Sequence, residues 1–378
     1  MLYLDHAATS PVRPEVLEAM RPYLTGVFGN PSSHHTAGEA AASALDDARA
    51  RVARVLGMRS GDIVFTAGGT EANNLAVKGI VLAALERGRR HLVISPIEHE
   101  SILESAAYLR RFHSVEVTTL PVDPRGRIAP EELAAAVRDD TALISIGHAN
   151  NEIGTVQDTA ALASVTRAAR VPLHLDAVQS AGWLALNALS ADAVSIAGHK
   201  LGAPKGIGAL AVRGRVPVEP MLHGGGQERG RRSGTENVAG AVALATALEL
   251  ADQERETVSS RVGSTTARFI ALVLDRIPEA TLTGDRDHRL PGTASFTFAG
   301  TSGESILLEL ERRGVISSSG SACAAGSDDP SHVLLACGVP AEVAQTAVRF
   351  TFGRDALPTD APERLAALVA DSVRAARG

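Results

Sequence analysis

The chain has 378 residues, 45% of them hydrophobic and 21% charged, enough for a sizeable core and for more than one folding unit. A formal net charge of −6 and a pI near 6.1, with no dense basic run, argue against direct binding of nucleic acid or of a membrane surface. Two cysteines, Cys323 and Cys337, exclude a disulfide framework and fit a reducing, cytoplasmic setting, and the start Met1-Leu2-Tyr3-Leu4-Asp5-His6 shows no signal peptide.

Leu2 to Asp5 reads as a short strand. Pro11-Val12-Arg13-Pro14 then breaks regular structure before a helix from about Glu15. Phe28-Gly29-Asn30-Pro31-Ser32-Ser33 is turn chemistry, and Leu45, Ala48, Val52 and Val55 follow one helical face that Gly57 ends. Strands are expected at 62–66, 92–95, 115–120, 142–147, 173–176, 193–197 and 208–212. Helices are expected between most of them, at 71–87, 102–112, 130–138 and 158–169. Continuous apolar strands alternating with helices predict an α/β fold with a mainly parallel, seven-stranded sheet flanked by helices, and ligands beyond the carboxyl ends of the strands.

Beyond Thr235 long helices (237–254, 258–276) give way to mixed elements: a strand at 293–298, a helix at 305–312 and a strand at 347–352. The expected division is a large unit over 13–252 and a smaller α+β unit made of 1–12 and 253–378.

The residues that invite chemistry follow strands. The chain holds only three lysines, Lys78, Lys200 and Lys205, and Lys200 stands in Gly198-His199-Lys200 just after the strand at 193–197. An amine of lowered pKa can condense with an aldehyde, which a guanidinium cannot, so Lys200 suits covalent attachment of pyridoxal phosphate. Taken singly, it reads rather as a solvated, inert loop lysine. Asp176 ends the strand before, where a carboxylate could face a pyridine nitrogen; as a bland alternative it caps a turn. Gly68-Gly69-Thr70 joins a strand to a helix start and could hold a phosphate, though it is also an ordinary tight turn. His99, in Glu98-His99-Glu100, could cover a ring and move protons, or be a loop histidine with a solvated partner.

The neutral amides of Asn150 and Asn151 after His148 could hold a ring hydroxyl or a carboxylate. His223 to Thr235, rich in glycine and arginine, looks like an anion-binding loop or a solvated basic turn. Cys323, amid glycine, serine and alanine, is the candidate nucleophile, whereas Cys337 falls in an apolar helical pattern. Alternation in Val348-Arg349-Phe350 presents Arg349 away from the packed face, free to clamp a carboxylate.

Phe28-Gly29-Asn30-Pro31-Ser32, Asn150-Asn151-Glu152-Ile153-Gly154, Gly198-His199-Lys200, Arg232-Ser233-Gly234-Thr235 and Ser319-Gly320-Ser321-Ala322-Cys323 occur in the order found in the cysteine desulfurases. These NifS/IscS-like enzymes form a branch of the class V pyridoxal-phosphate-dependent aminotransferases, and the chain resembles them from Tyr3 to Arg354. The resemblance implies the fold-type-I architecture of pyridoxal-phosphate-dependent transferases and removal of sulfur from L-cysteine, giving L-alanine and a persulfide on Cys323. It implies that Lys200 holds the cofactor covalently, that Asp176 faces its pyridine nitrogen, and that Gln179 and Asn151 lie near its phenolic oxygen. His99 would stack on the ring and assist proton transfer, while Gly69, Thr70 and His199 hold the phosphate. Thr235 would reach the phosphate site of a second subunit, implying a homodimer, and Arg349 would clamp the substrate carboxylate. No metal is implied.

Sulfur acceptors in this family are iron–sulfur scaffolds or tRNA-thiolation enzymes, and the loop around Cys323 resembles the longer-loop group that serves them. Where the family commonly has serine, this chain has Ala197, a missing phosphate hydrogen bond that Ser195 or a water would offset. The sequence ends at Gly378 without the tail that longer members use to dock an iron–sulfur scaffold, which speaks against that partner and leaves a tRNA-thiolation partner open. Neighbouring readings are a class V aminotransferase or selenocysteine lyase, and an inactive sulfur-relay scaffold.

Overall fold

The computed structural model of the chain describes residues 1–320 and 329–377. Twelve strands are described: β1 (Leu2–Tyr3), β2 (Ile63–Thr66), β3 (His91–Ile94), β4 (Glu116–Thr119), β5 (Thr141–Gly147), β6 (Leu173–Asp176), β7 (Ala193–Ala197), β8 (Gly208–Val212), β9 (Ala280–Leu282), β10 (Thr293–Phe298), β11 (Val315–Ile316) and β12 (Val348–Thr351). Seven of them form one sheet in the order β2-β8-β7-β6-β5-β3-β4. β7, β6, β5, β3 and β4 run parallel, and β8 is antiparallel to both of its neighbours, so β2 points the same way as the rest.

Strand periodicity explains how both faces are buried. Ile63 and Phe65 point into one core with Val194, Ile196, Leu173 and Leu175, while Val64 points into the opposite one with Leu92, Ile94, Leu210 and Val212. On the first face lie the helices Pro14–Thr25, Thr36–Leu56 and Val238–Gln253. The last of these is apolar nearly all round and is buried along most of its length, as a helix packed between others must be. The second face is covered by Glu100–His113 and by a helix that runs as α (Gly69–Asn74), π (Leu75–Gly79) and α again (Ile80–Leu85).

A second core surrounds the antiparallel sheet β12-β10-β9. Phe269, from the helix Arg255–Arg276, packs edge-on against Phe350 at 5.2 Å and Phe296 at 6.0 Å between ring centres. The helices Gly303–Arg312 and Ala361–Ala376 complete this unit. β1 pairs in parallel with β11, and Asp5 bridges to Thr351 on β12, so the N-terminus is woven into this second unit before the chain enters the first. Among the described residues no helix is long and apolar enough to cross a membrane.

Candidate active site

The strand direction sets where the site lies. The turns that follow β2, β3, β5, β6 and β7 open on one edge of the seven-stranded sheet and enclose a cleft of about 1490 Å³, closed on other sides by Ala7–Thr9, Asp329–His332 and Arg349. Lys200, Asp176, Gln179, His99, Asn151, Gly69, Thr70, His199 and Arg349 all line it. Thr235 does not: it is exposed, and no residue from His223 to Thr235 faces this cleft.

The Gly68–Thr70 turn is built by close packing. A Cβ at Gly208 would lie 2.7 Å from the backbone of Gly68, and one at Gly69 would lie 2.8 Å from Val178. Only glycine lets the turn settle between β8 and the end of β6, with the following helix start open to the cleft.

Asp176 accepts from the backbone N–H of Val178 at 2.9 Å and from Asn73 Nδ2 at 2.7 Å, which fixes its carboxylate. Lys200 Nζ donates to the carbonyls of Ala7 and of Ala8, the latter at 2.7 Å, and Gln179 Nε2 donates to the same Ala7 carbonyl at 3.0 Å. The N-terminal segment therefore sits against the lysine. Lys78 is remote from this site and stacks on Tyr108 at 4.5 Å, and Lys205 lines the cleft rim from an exposed position. His199 contacts Thr9 Oγ1 at 3.2 Å; burial, reinforced by the charges of Lys200 and Lys205, lowers its pKa to about 4. It is a neutral imidazole at neutral pH.

His99 caps the helix Glu100–His113, its Nδ1 accepting from the backbone N–H of Ser101 at 3.0 Å. The turn that carries it is held from three sides. Asn150 Nδ2 donates to the Ile97 carbonyl at 2.8 Å, Ser95 donates to Glu98 Oε1 at 2.5 Å, and His332 Nε2 meets the Glu98 carbonyl at 3.1 Å.

Two expectations are corrected. Arg349 is 1% exposed rather than presented, because the face of β12 opposite the phenylalanines is covered by the N-terminal segment and by the turn after β5. Its Nη2 pairs with Asp5 Oδ1 at 2.6 Å, and its Nη1 donates to the carbonyls of Asn151 at 2.7 Å and Gly320 at 3.2 Å. Ser195 does not offset Ala197, since it is fully buried and bonded to His174 Nε2 at 2.9 Å, while Ala197 itself lines the cleft. In the arginine-rich loop, Arg232 pairs with Glu71 at 2.9 Å, Glu228 forms a buried pair with Arg49 at 2.6 Å, and the exposed Arg229 and half-buried Arg231 reach the carbonyls of Ser60 and Gly61 at 3.4 Å.

The cysteines separate as expected in part. Cys337 is 6% exposed and burial pushes its thiol up to about 11, so it stays protonated and inert. Cys323 lies outside the described residues; Asp329 lines the cleft, and the Gly320 carbonyl accepts from Arg349.

Sequence reasoning passed over two buried carboxyls on the cleft wall. Glu98 is 3% exposed, and burial, aided by the charge of Asp176, raises its pKa to about 8 against the hydrogen bond from Ser95. Glu152 is raised in the same direction by burial and accepts from Ser331 at 2.5 Å. Neither carries a local signal, since a glutamate in a turn ordinarily reads as solvated. Asn73 was equally silent inside Thr70-Glu71-Ala72-Asn73.

The family pattern "Aminotransferase class-V" matches residues 2–360. The chain is 45% identical over 354 residues to a cysteine desulfurase IscS of Dictyoglomus turgidum, covering 93% of this chain and 89% of that one. It is 42% identical over 384 residues to an IscS-like cysteine desulfurase of Mycobacterium tuberculosis, covering 100% and 98%. A solved structure described as a NifS-like protein superposes with a TM-score of 0.90 at 33% identity over 99% of both chains. With a matching family pattern over almost its full length and this architecture, the chain belongs to the class V aminotransferases, in the branch of the NifS- and IscS-like cysteine desulfurases.

Proposed function

We propose that this chain is a pyridoxal-phosphate-dependent cysteine desulfurase in which Lys200, Asp176 and His99 work on one bound cofactor. The observation that carries the reading is their convergence: an amine after β7, a carboxylate ending β6 and an imidazole after β3 all line the same cleft. Enzymes of this family depend on pyridoxal phosphate. The donor set of this chain fits that group. The open helix start at Gly69 and Thr70, together with the neutral His199, suits a phosphate, and the doubly anchored Asp176 suits a protonated ring nitrogen. When bound, the cofactor supplies an aldehyde that captures amines and a ring that withdraws electrons from the α carbon of a captured amino acid.

The residues of the chain supply the rest. Lys200 is the amine that secures the cofactor and later holds a proton next to the substrate; the Ala7 and Ala8 carbonyls orient its Nζ. Asp176 keeps a proton on the ring nitrogen by standing as its counter-charge. Gln179 and Asn151 are assigned to the phenolic oxygen side, and His99 to one face of the ring, where it moves protons. Arg349, already oriented by Asp5, meets the substrate carboxylate. Cys323 supplies the thiolate: it forms an S–S bond to the sulfur of L-cysteine while the carbon–sulfur bond breaks. The carbon takes up a proton, and L-alanine leaves a persulfide on the chain.

The sulfur then passes to an acceptor, a tRNA-thiolation enzyme or an iron–sulfur scaffold. Thr235, exposed on its own chain, is assigned to the phosphate site of a second copy in a homodimer. The test is L-alanine release from L-cysteine. Cys323→Ala is expected to abolish it while the cofactor's yellow absorbance persists, and Lys200→Ala to remove both. Full turnover in either variant would refute the corresponding assignment.

A further inference from the structure

Asp176 and His99 come from different strand ends, yet one run of hydrogen bonds joins them. Asn73, on the helix that starts at Gly69, is 1% exposed. Its Nδ2 donates both to Asp176 Oδ2 at 2.7 Å and to Ser101 Oγ at 2.9 Å. Its Oδ1 is buried and has no hydrogen-bond partner among the described residues. A buried amide that leaves its acceptor unmet is unusual. The orientation follows from the neighbour: the amide turned over would set its oxygen against the carboxylate of Asp176.

That orientation fixes the next link. Ser101 Oγ receives the amide hydrogen, so its own hydrogen goes to the remaining neighbour, His99 Nδ1, at 2.9 Å. The backbone N–H of Ser101 meets the same Nδ1 at 3.0 Å. Ser105 bonds the carbonyl of Ser101, not its hydroxyl, and so does not compete. A ring nitrogen that accepts from two donors carries no proton in the neutral imidazole.

We propose that Asn73 and Ser101 are positioning residues that link Asp176 to His99 and hold neutral His99 as the tautomer protonated on Nε2. The inference deepens the function given above and takes its consequence from it: His99 meets the ring and substrate with a proton to give, and the same relay that orients it also orients the counter-charge of the ring nitrogen. Serine and asparagine, neither of which titrates, then decide which way the histidine works.

The test reads the tautomer directly, by 15N NMR of histidine-labelled chain with and without bound pyridoxal phosphate, His99 being assigned by its loss in His99→Gln. The neutral wild-type ring is expected to show the Nε2-protonated pattern in both preparations. Ser101→Ala removes one of the two donors and is expected to lower the tautomer ratio about fivefold, the effect of one ordinary hydrogen bond. Asn73→Ala is expected to move the same signals although Asn73 does not touch His99, and Ser101→Thr to restore the wild-type pattern. A wild-type ring protonated on Nδ1, or signals unchanged in both alanine variants, overturns the relay. Should Asn73→Ala not fold, the Ser101→Ala and Ser101→Thr pair decides the matter. Because no turnover is needed, a chain that shows this pattern yet releases no alanine from L-cysteine upholds the relay and refutes the function.

Discussion

Replacing Glu98 with glutamine isolates one buried proton. Burial and the charge of Asp176 lift this carboxyl from an ordinary 4.5 to about 8, against the hydrogen bond from Ser95 to Oε1 and the backbone of Gly147. The folded chain therefore holds a proton that the unfolded chain has released across the whole interval from pH 4.5 to 8. The contribution of this one group to stability must fall as pH rises through that interval and level off above it. At about 1.4 kcal/mol per unit, the wild type loses about 3 kcal/mol between pH 5.5 and 8 from this group. Glutamine mimics the neutral acid, accepts from Ser95 and does not titrate. All other groups are common to both chains, so the difference between them isolates Glu98. Urea unfolding at pH 5.5, 7 and 8 should show Glu98→Gln gaining on the wild type at each step, by about 3 kcal/mol in all. A difference that stays constant with pH would refute the reasoning.

Other expectations follow from neighbouring groups. On the acid side, burial depresses His148 to about 4 and His174 to about 3, so the unfolded chain takes up their protons first and stability falls as pH drops below 6.5 toward those values. Thermal melts should therefore pass through a maximum near neutrality, and His174→Gln should flatten the acid limb. Asp5→Ala leaves the guanidinium of Arg349 buried without its ion-pair partner and should cost about 3–5 kcal/mol in denaturant unfolding. Phe269→Ala opens the centre of the aromatic cluster with Phe296, Phe350 and Phe352 and should cost about 3–5 kcal/mol by the same measurement.

Much of this architecture was legible because its signals are local. Runs such as Ala193–Ala197, polar only at Ser195, and Gly208–Val212, apolar throughout, are what strands buried on both faces require, and each of the seven strands expected from the sequence is a strand of the large sheet. The antiparallel direction of β8 left no trace, since direction is set by which neighbours it pairs with. β9 and β11, of three and two residues, are too short for alternation to register. Within the cleft, Lys200, Asp176 and His99 were visible because each follows a strand.

The relay of Asn73 and Ser101 was not, because its partners are separated by up to 103 positions and meet only when β3 and β6 flank β5. Arg349 shows the limit of a one-dimensional pattern. Alternation placed it opposite Phe350, but only the fold reveals that the N-terminal segment lies across that face and presents Asp5 to it.

The central claim is that one cleft delivers a substrate sulfur to one thiol. The most direct measurement is the mass of the peptide carrying Cys323 after the chain, loaded with pyridoxal phosphate, has been incubated with L-cysteine under non-reducing conditions. The account predicts one added sulfur on Cys323, none on Cys337, and none on either in Lys200→Ala. A Cys323 peptide of unchanged mass alongside steady alanine release would contradict it.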